Sequence, residues 1–251
     1  MRIFKWLSLA FLFLYLLPVG AAVGLWLLED KPTSWREADW SATGMLPKPS
    51  DDREATIHIF SAMSGGLKGA IASHGWIVLK GKDADRYDRY DKVGWGQPIR
   101  KNAYAPDARW YSNPPRLVKT IRGEEAERLI PKIESAIAAY PHARPGGYRI
   151  WPGPNSNTFV AHVLREVPEI GAVLPPDGVG RDYLPGPAFV RLDPDGRDLH
   201  LSLGGYAGLS VGLRSGFEIN LFGLAAGFDF LRPAVKIPGF GRIGMAMEDA
   251  V

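Results

Sequence analysis

From Trp6 to Leu28 the chain runs for 23 residues without a charge. A helix rises about 1.5 Å per residue, so a run of this length crosses a hydrocarbon layer roughly 30 Å thick. Arg2 and Lys5 precede it, and Glu29 and Asp30 follow. Basic residues are retained on the cytoplasmic side, so everything after the run is expected outside. Trp6 and Trp26 stand near the two ends, where interfacial aromatics are favoured. Pro18 is tolerable in a spanning helix. A cleaved signal peptide is the competing reading, with Gly20, Ala21 and Ala22 as small residues for a peptidase. Signal peptides carry apolar cores of about 7–15 residues, shorter than this run, which favours an uncleaved anchor. Both readings export the main domain.

The remaining composition is that of an ordinary globular domain. Of 251 residues, 46% are hydrophobic and 23% charged, enough apolar mass for a core. The net charge is +3, but Arg2 and Lys5 supply two of the positives, leaving 28 against 27. Nothing in that balance points to nucleic acid, which needs a clustered basic face. The chain has no cysteine, which excludes a disulfide scaffold, a cysteine-ligated metal, a lipidated N-terminal cysteine and a thiol nucleophile. The five histidines are scattered, so neither a metal nor a cofactor is expected.

Residues 29–54 are polar, carry Pro32, Pro47 and Pro49, and read as a tether. Strands are expected at Thr56–Phe60, Gly75–Lys80, Lys92–Trp95 and Arg116–Ile121. The charge-mixed stretch Lys82–Lys92 reads as a solvated loop. A helix opens at Gly123, with Glu124 and Glu125 in its first turn and Ala126, Leu129, Ile130, Ile133 and Ile137 on one face. Pro131 predicts a kink or split in it. After about residue 181, short apolar alternations separated by glycine predict strands with tight turns. Their Phe217, Leu221, Phe222, Phe228, Phe230 and Leu231 read as an ordinary core, the competing reading being contact with lipid or a partner.

Several motifs fail on inspection. Gly239–Gly244 matches G-x-G-x-x-G, but no helix and acidic partner are expected after it before Val251. Asp193–Asp198 has a calcium-loop look, yet a Pro-Asp-Gly turn is the sounder reading. The stretch Tyr148–Ile170 is more informative. Pro152, Gly153 and Pro154 force a sharp turn. Asn155 and Ser156 are good helix caps. Phe159, Val160, Val163, Leu164 and Val167 form a helical stripe that ends at Pro168. Ser156 therefore sits at a helix N-terminus, where a nucleophile or an anion feels the positive end of the dipole.

A histidine entering a strand (His74, then Gly75–Lys80), further strands and a helix, then Asn155-Ser156 with Phe159-Val160 opening another helix, resembles the circularly permuted papain-like fold. That group includes NlpC-type peptidases and acyltransferase relatives. The resemblance implies a catalytic pair at Ser156 and His74, with serine where the family places its cysteine. A serine hydroxyl needs a base and an oxyanion pocket far more than a thiolate does. Asp91 is a candidate for orienting the histidine. Asn155, Asn157, Trp151 and Trp76 are candidate binding residues.

The strings HGWIV, YRIWPGPNSNTFV, VLPPDGVGRDY, GFEINLFGL and VKIPGFGRIG also resemble, over about residues 55–245, a bacterial membrane-associated family known as domain of unknown function 3750. Taken together, the expected fold is α+β. A transmembrane anchor (1–28) and a tether (29–54) lead to an NlpC-like antiparallel sheet with helices (55–180), followed by a Gly-rich, β-leaning extension of the same domain (181–251). The expected location is the bacterial inner membrane, single-pass, with the main domain in the periplasm or outside. The expected role is a binding or structural module of the cell envelope for a peptide, glycan or lipid, without nucleic acid. The alternative is a serine-dependent hydrolase or acyltransferase.

Overall fold

The computed structural model of the chain describes residues 2–184 and 188–245. The rest of the expected 181–251 extension, namely 185–187 and 246–251, lies outside the described residues. The apolar run forms one helix, Arg2–Leu27, long and apolar enough to cross a membrane. Only 11% of its most apolar stretch is buried within the protein.

Five strands build the first sheet: β1 (Thr56–Met63), β2 (Ser73–Lys80), β3 (Asp88–Lys92), β4 (Ile99–Lys101) and β5 (Arg116–Arg122). They pair antiparallel in the order β4-β3-β2-β1-β5. Because strand side chains alternate, β1 sends Ile57 and Ile59 to one face and Phe60 and Ala62 into a second core. The helices Gly123–Ala138 and Ser156–Glu166 cover the first face through Leu129, Ile133, Phe159, Val160 and Val163. Each such fully buried side chain contributes about 1.5–3 kcal/mol.

Three sequence expectations change here. The stretch Lys82–Lys92 is not a solvated loop throughout, because its second half is β3, with Arg89, Asp91 and Lys92 fully buried. This also moves the third strand upstream of the expected Lys92–Trp95. The helix Gly123–Ala138 is not split, since it continues through Pro131. Glu127, whose carbonyl loses the proline's missing N–H, is exposed and can be met by water. The stretch 29–54 is not a free tether. Trp40 and Leu46 pack on the second core, Ala42 bridges Ala108, and the buried Lys80 donates to the carbonyls of Asp52 (2.7 Å) and Glu54 (2.5 Å).

The second sheet is a meander of seven antiparallel strands: β6 (Val190–Leu192), β7 (Asp198–Ser202), β8 (Ala207–Gly212), β9 (Gly216–Leu221), β10 (Leu224–Asp229), β11 (Ala234–Ile237) and β12 (Gly241–Gly244). The Gly239–Gly244 motif therefore lies in the β11–β12 hairpin rather than before a helix. Cross-strand register aligns Leu192, Leu199, Val211, Phe217, Phe228, Val235 and Ile243 in one row. The adjacent row reads Arg191, His200, Ser210, Glu218, Gly227, Lys236 and Arg242. The two rows point to opposite faces, and it is the polar one that is turned inward. Glu218 is 2% exposed, whereas Leu192 is 58% and Val235 49% exposed. The inner charges satisfy one another: Arg181 meets Glu218 at 2.5 Å, Lys236 also bonds Glu218, and Arg214 meets Asp193 and Asp198. The expectation of an ordinary apolar core here is thus overturned, and Phe222, Phe228, Phe230 and Leu231 are all exposed.

Two histidines outside the site give the fold a pH dependence. Burial holds His58 and His162 neutral, lowering each pKa to about 4. In the unfolded chain both titrate near the ordinary value of about 6.5. The unfolded state then binds more protons between the two values. Stability contributed by these groups is full above about 6.5 and lost as pH falls toward 4. Urea unfolding should show a falling midpoint over that window, and His58→Gln with His162→Gln should flatten it.

Candidate functional site

The site helix Ser156–Glu166 is fixed at its start by a capping box. Asn155 Oδ1 accepts from the Asn157 and Thr158 amides at 3.0 and 3.1 Å, and Thr158 Oγ1 accepts from the Asn155 amide at 3.1 Å. Asn155 Nδ2 donates to the carbonyls of Ile150 and Val179. Gly180, at φ +91°, leaves room for that amide, since a Cβ there would lie 2.4 Å from Asn155 Nδ2. Gly153, at φ +131°, likewise clears Thr158 and Tyr183. Asn157 Nδ2 donates to the carbonyl of Ser73 at 2.8 Å, tying the helix tip to the start of β2. That strand carries His74 one residue later.

His74 Nε2 lies 2.9 Å from Asp91 Oδ1, on the neighbouring strand β3. Both groups are buried. Arg89, two residues before Asp91 and so on the same side of β3, grips the carboxylate with Nε at 2.8 Å and Nη2 at 2.9 Å. Its Nη1 donates to the Ala105 carbonyl, and its guanidinium stacks over Trp76 at 4.1 Å. Trp110 lies flat on the His74 ring, 3.7 Å between centroids and 2° between planes.

Burial raises the Asp91 carboxyl, but the charge of Arg89 and the hydrogen bonds from His74 and Arg89 outweigh it and hold the pKa below the usual range. Burial depresses the His74 pKa despite the Asp91 hydrogen bond. An ionised carboxylate only accepts, so the neutral imidazole carries its proton on Nε2 and its lone pair on Nδ1. Among the described residues, no protein group bonds Nδ1.

A cleft of about 820 Å³ joins these parts. His74, Asn155, Ser156 and Asn157 line it together with Lys68, Ile71, Trp95, Trp110, Tyr111, Tyr148, Trp151, Phe222 and Leu224. Ser156 and His74 are thus on one cleft wall system, although no hydrogen bond joins them. The Ser156 amide, in the first helical turn, has no protein acceptor among the described residues. Trp151 lines the cleft, with its indole N–H donating to the Phe222 carbonyl at 2.8 Å. Trp76 does not line it. It is fully buried, stacked on Phe60 and beneath Arg89, and supports the ion pair instead.

Sequence reasoning missed Arg89 and Trp110. The one signal for Arg89 is its i, i+2 spacing from Asp91, which puts both on one side only once the stretch is known to be a strand. Trp110 comes from an irregular loop, and no spacing announces it.

The fold and site define a mixed α+β domain that seats a carboxylate-held histidine and a helix-tip serine on one aromatic cleft. A family model described as protein of unknown function (DUF3750) matches residues 54–183, more than half of the chain, and the protein belongs to that family. The match covers the first sheet, both helices and most of the cleft, and it stops before the seven-stranded sheet. No curated protein and no solved structure matches the chain.

Leaving Arg89 buried without its carboxylate is costly. Asp91→Ala should destabilise the domain by about 3–5 kcal/mol, and adding Arg89→Met should recover part of that loss. Chemical unfolding of the single and double variants measures both.

Proposed function

We propose that the cleft is an acyl-transfer site, with Ser156 as nucleophile, His74 as base and Asp91 as the residue that orients the histidine. The observation that carries this reading is the His74–Asp91 hydrogen bond. It leaves the unprotonated Nδ1 on the same cleft as a serine at a helix N-terminus. In the first step Ser156 Oγ bonds to the substrate carbonyl carbon, and its proton passes to His74 Nδ1. The Ser156 amide and the helix dipole would receive the oxyanion. His74 then returns the proton to the departing alcohol or amine, leaving an acyl-serine that water or an alcohol cleaves. The aromatic lining favours a substrate with an apolar acyl group or ring, drawn from an envelope lipid, peptide or glycan.

The arrangement is consistent with a permuted papain-like body, with histidine and aspartate on adjacent antiparallel strands and the nucleophile opening a helix packed on the sheet. The charge pattern around the apolar run supports a bacterial inner-membrane anchor with the domain on the outer side. The second reading is a binding module. Two observations favour it: Ser156 and His74 share no hydrogen bond, and Arg89 already engages both oxygens of Asp91. That grip weakens the carboxylate's help to an imidazolium.

A fluorophosphonate probe applied to the full chain in detergent separates the two. The enzyme reading expects covalent labelling that Ser156→Ala abolishes and His74→Gln slows by about 10²–10⁴-fold. Labelling indifferent to Ser156→Ala, or none in the wild-type chain, supports the binding module.

A further inference from the structure

The seven-stranded sheet presents its apolar face outward and its ion pairs inward. Water-exposed antiparallel sheets are built the other way round. The outer row runs without a polar interruption across all seven strands. A continuous apolar area of this kind marks an interaction surface.

The N-terminal helix lies against this same sheet. Tyr15 Oη donates to the Ile219 carbonyl of β9 at 2.8 Å. Ala22 fits against Gly239, where a Cβ would come within 2.5 Å of it, and Trp26 sits over Gly69. Tyr15 and Trp26 are about 16 Å apart along a helix, close to one leaflet of a hydrocarbon core roughly 30 Å thick. The helix surface not used in this packing remains apolar and exposed, as at Leu14 and Leu17. The helix meets the sheet at Ile219, two residues from Phe217 of the outer row and on the same face of β9.

We infer that the outer face of the seven-stranded sheet docks on lipid, in the leaflet that receives the C-terminal half of the helix. The claim rests on the anchor reading above and is independent of whether the cleft is catalytic. Backbone polarity permits it: within a seven-stranded sheet the ladder bonds are internal, and only the short edges β6 and β12 need the polar interface. The docking also places the cleft. Phe222 and Leu224, at the β9–β10 turn of this sheet, line the cleft, as do Lys68 and Ile71 beside the helix end. A substrate with an acyl chain therefore reaches Ser156 from the bilayer side.

The absence of cysteine makes the test clean. Single-cysteine variants Val235→Cys and Ile243→Cys report the outer row, Leu14→Cys the helix, and Glu134→Cys the exposed far helix. Each carries an environment-sensitive fluorophore, and the full chain is reconstituted in phosphatidylcholine–phosphatidylglycerol vesicles with or without doxyl-labelled lipid. The inference expects the outer-row labels to lose fluorescence to doxyl-lipid as strongly as the Leu14 label. The Glu134 label should respond only to aqueous iodide. Outer-row labels that respond to iodide alone, with Leu14 still quenched by lipid, overturn the docking and leave the anchor standing. A Leu14 label outside lipid overturns both. Outer-row labels shielded from both quenchers, in a chain that crosslinks as a dimer, assign the face to a second copy and overturn the docking.

Discussion

A carboxylate removed from water must be paired, and at Asp91 this requirement organises the centre of the molecule. The desolvation of such a group costs several kcal/mol, which only close partners offset. Arg89 supplies two hydrogen bonds along the same strand, and His74 supplies the third from the next one. Trp76 lies beneath the guanidinium, and Trp110 closes over the imidazole. The neighbouring helix tip is tied to the strand of His74 through Asn157 and Ser73. The cleft is thus the open side of a buried polar cluster whose other sides are sealed by aromatic rings.

Much of this was legible in the residues. The apolar run, the strand entered by His74, the amphipathic stripe from Ala126 to Ile137 and the capped helix at Ser156 each follow from local periodicity and cap chemistry. What was not legible depended on partners distant in the chain. Arg89, Asp91 and Lys92 look like a solvated charge run until Trp76 and His74 cover the first two and Tyr140 and His142 the third. Pro131 looks like a helix breaker until Glu127, whose carbonyl it leaves without an N–H, is seen to be exposed. The candidate site divides in the same way. Ser156, His74, Asn155, Asn157 and Trp151 all reach the cleft, as their positions suggested, whereas Trp76 is turned into the core.

The largest reversal concerns the C-terminal sheet. Alternation with period two tells which residues share a face, but not which face meets water. Glu218, Lys236 and Asp229 take the inner face because Arg181 and Arg242 are there to pair with them. The apolar row is left outside, beside a helix that is itself long and apolar enough to cross a membrane. The same bilayer contact would account for both exposed apolar surfaces.

The protonation state of His74 tests the account at its centre. Nitrogen-15 spectra of histidine-labelled full-length protein in detergent micelles at pH 7 report which ring nitrogen carries the proton. The account predicts a neutral imidazole protonated at Nε2, with Nδ1 bare and available as a base. A proton on Nδ1, or an imidazolium at that pH, would contradict it.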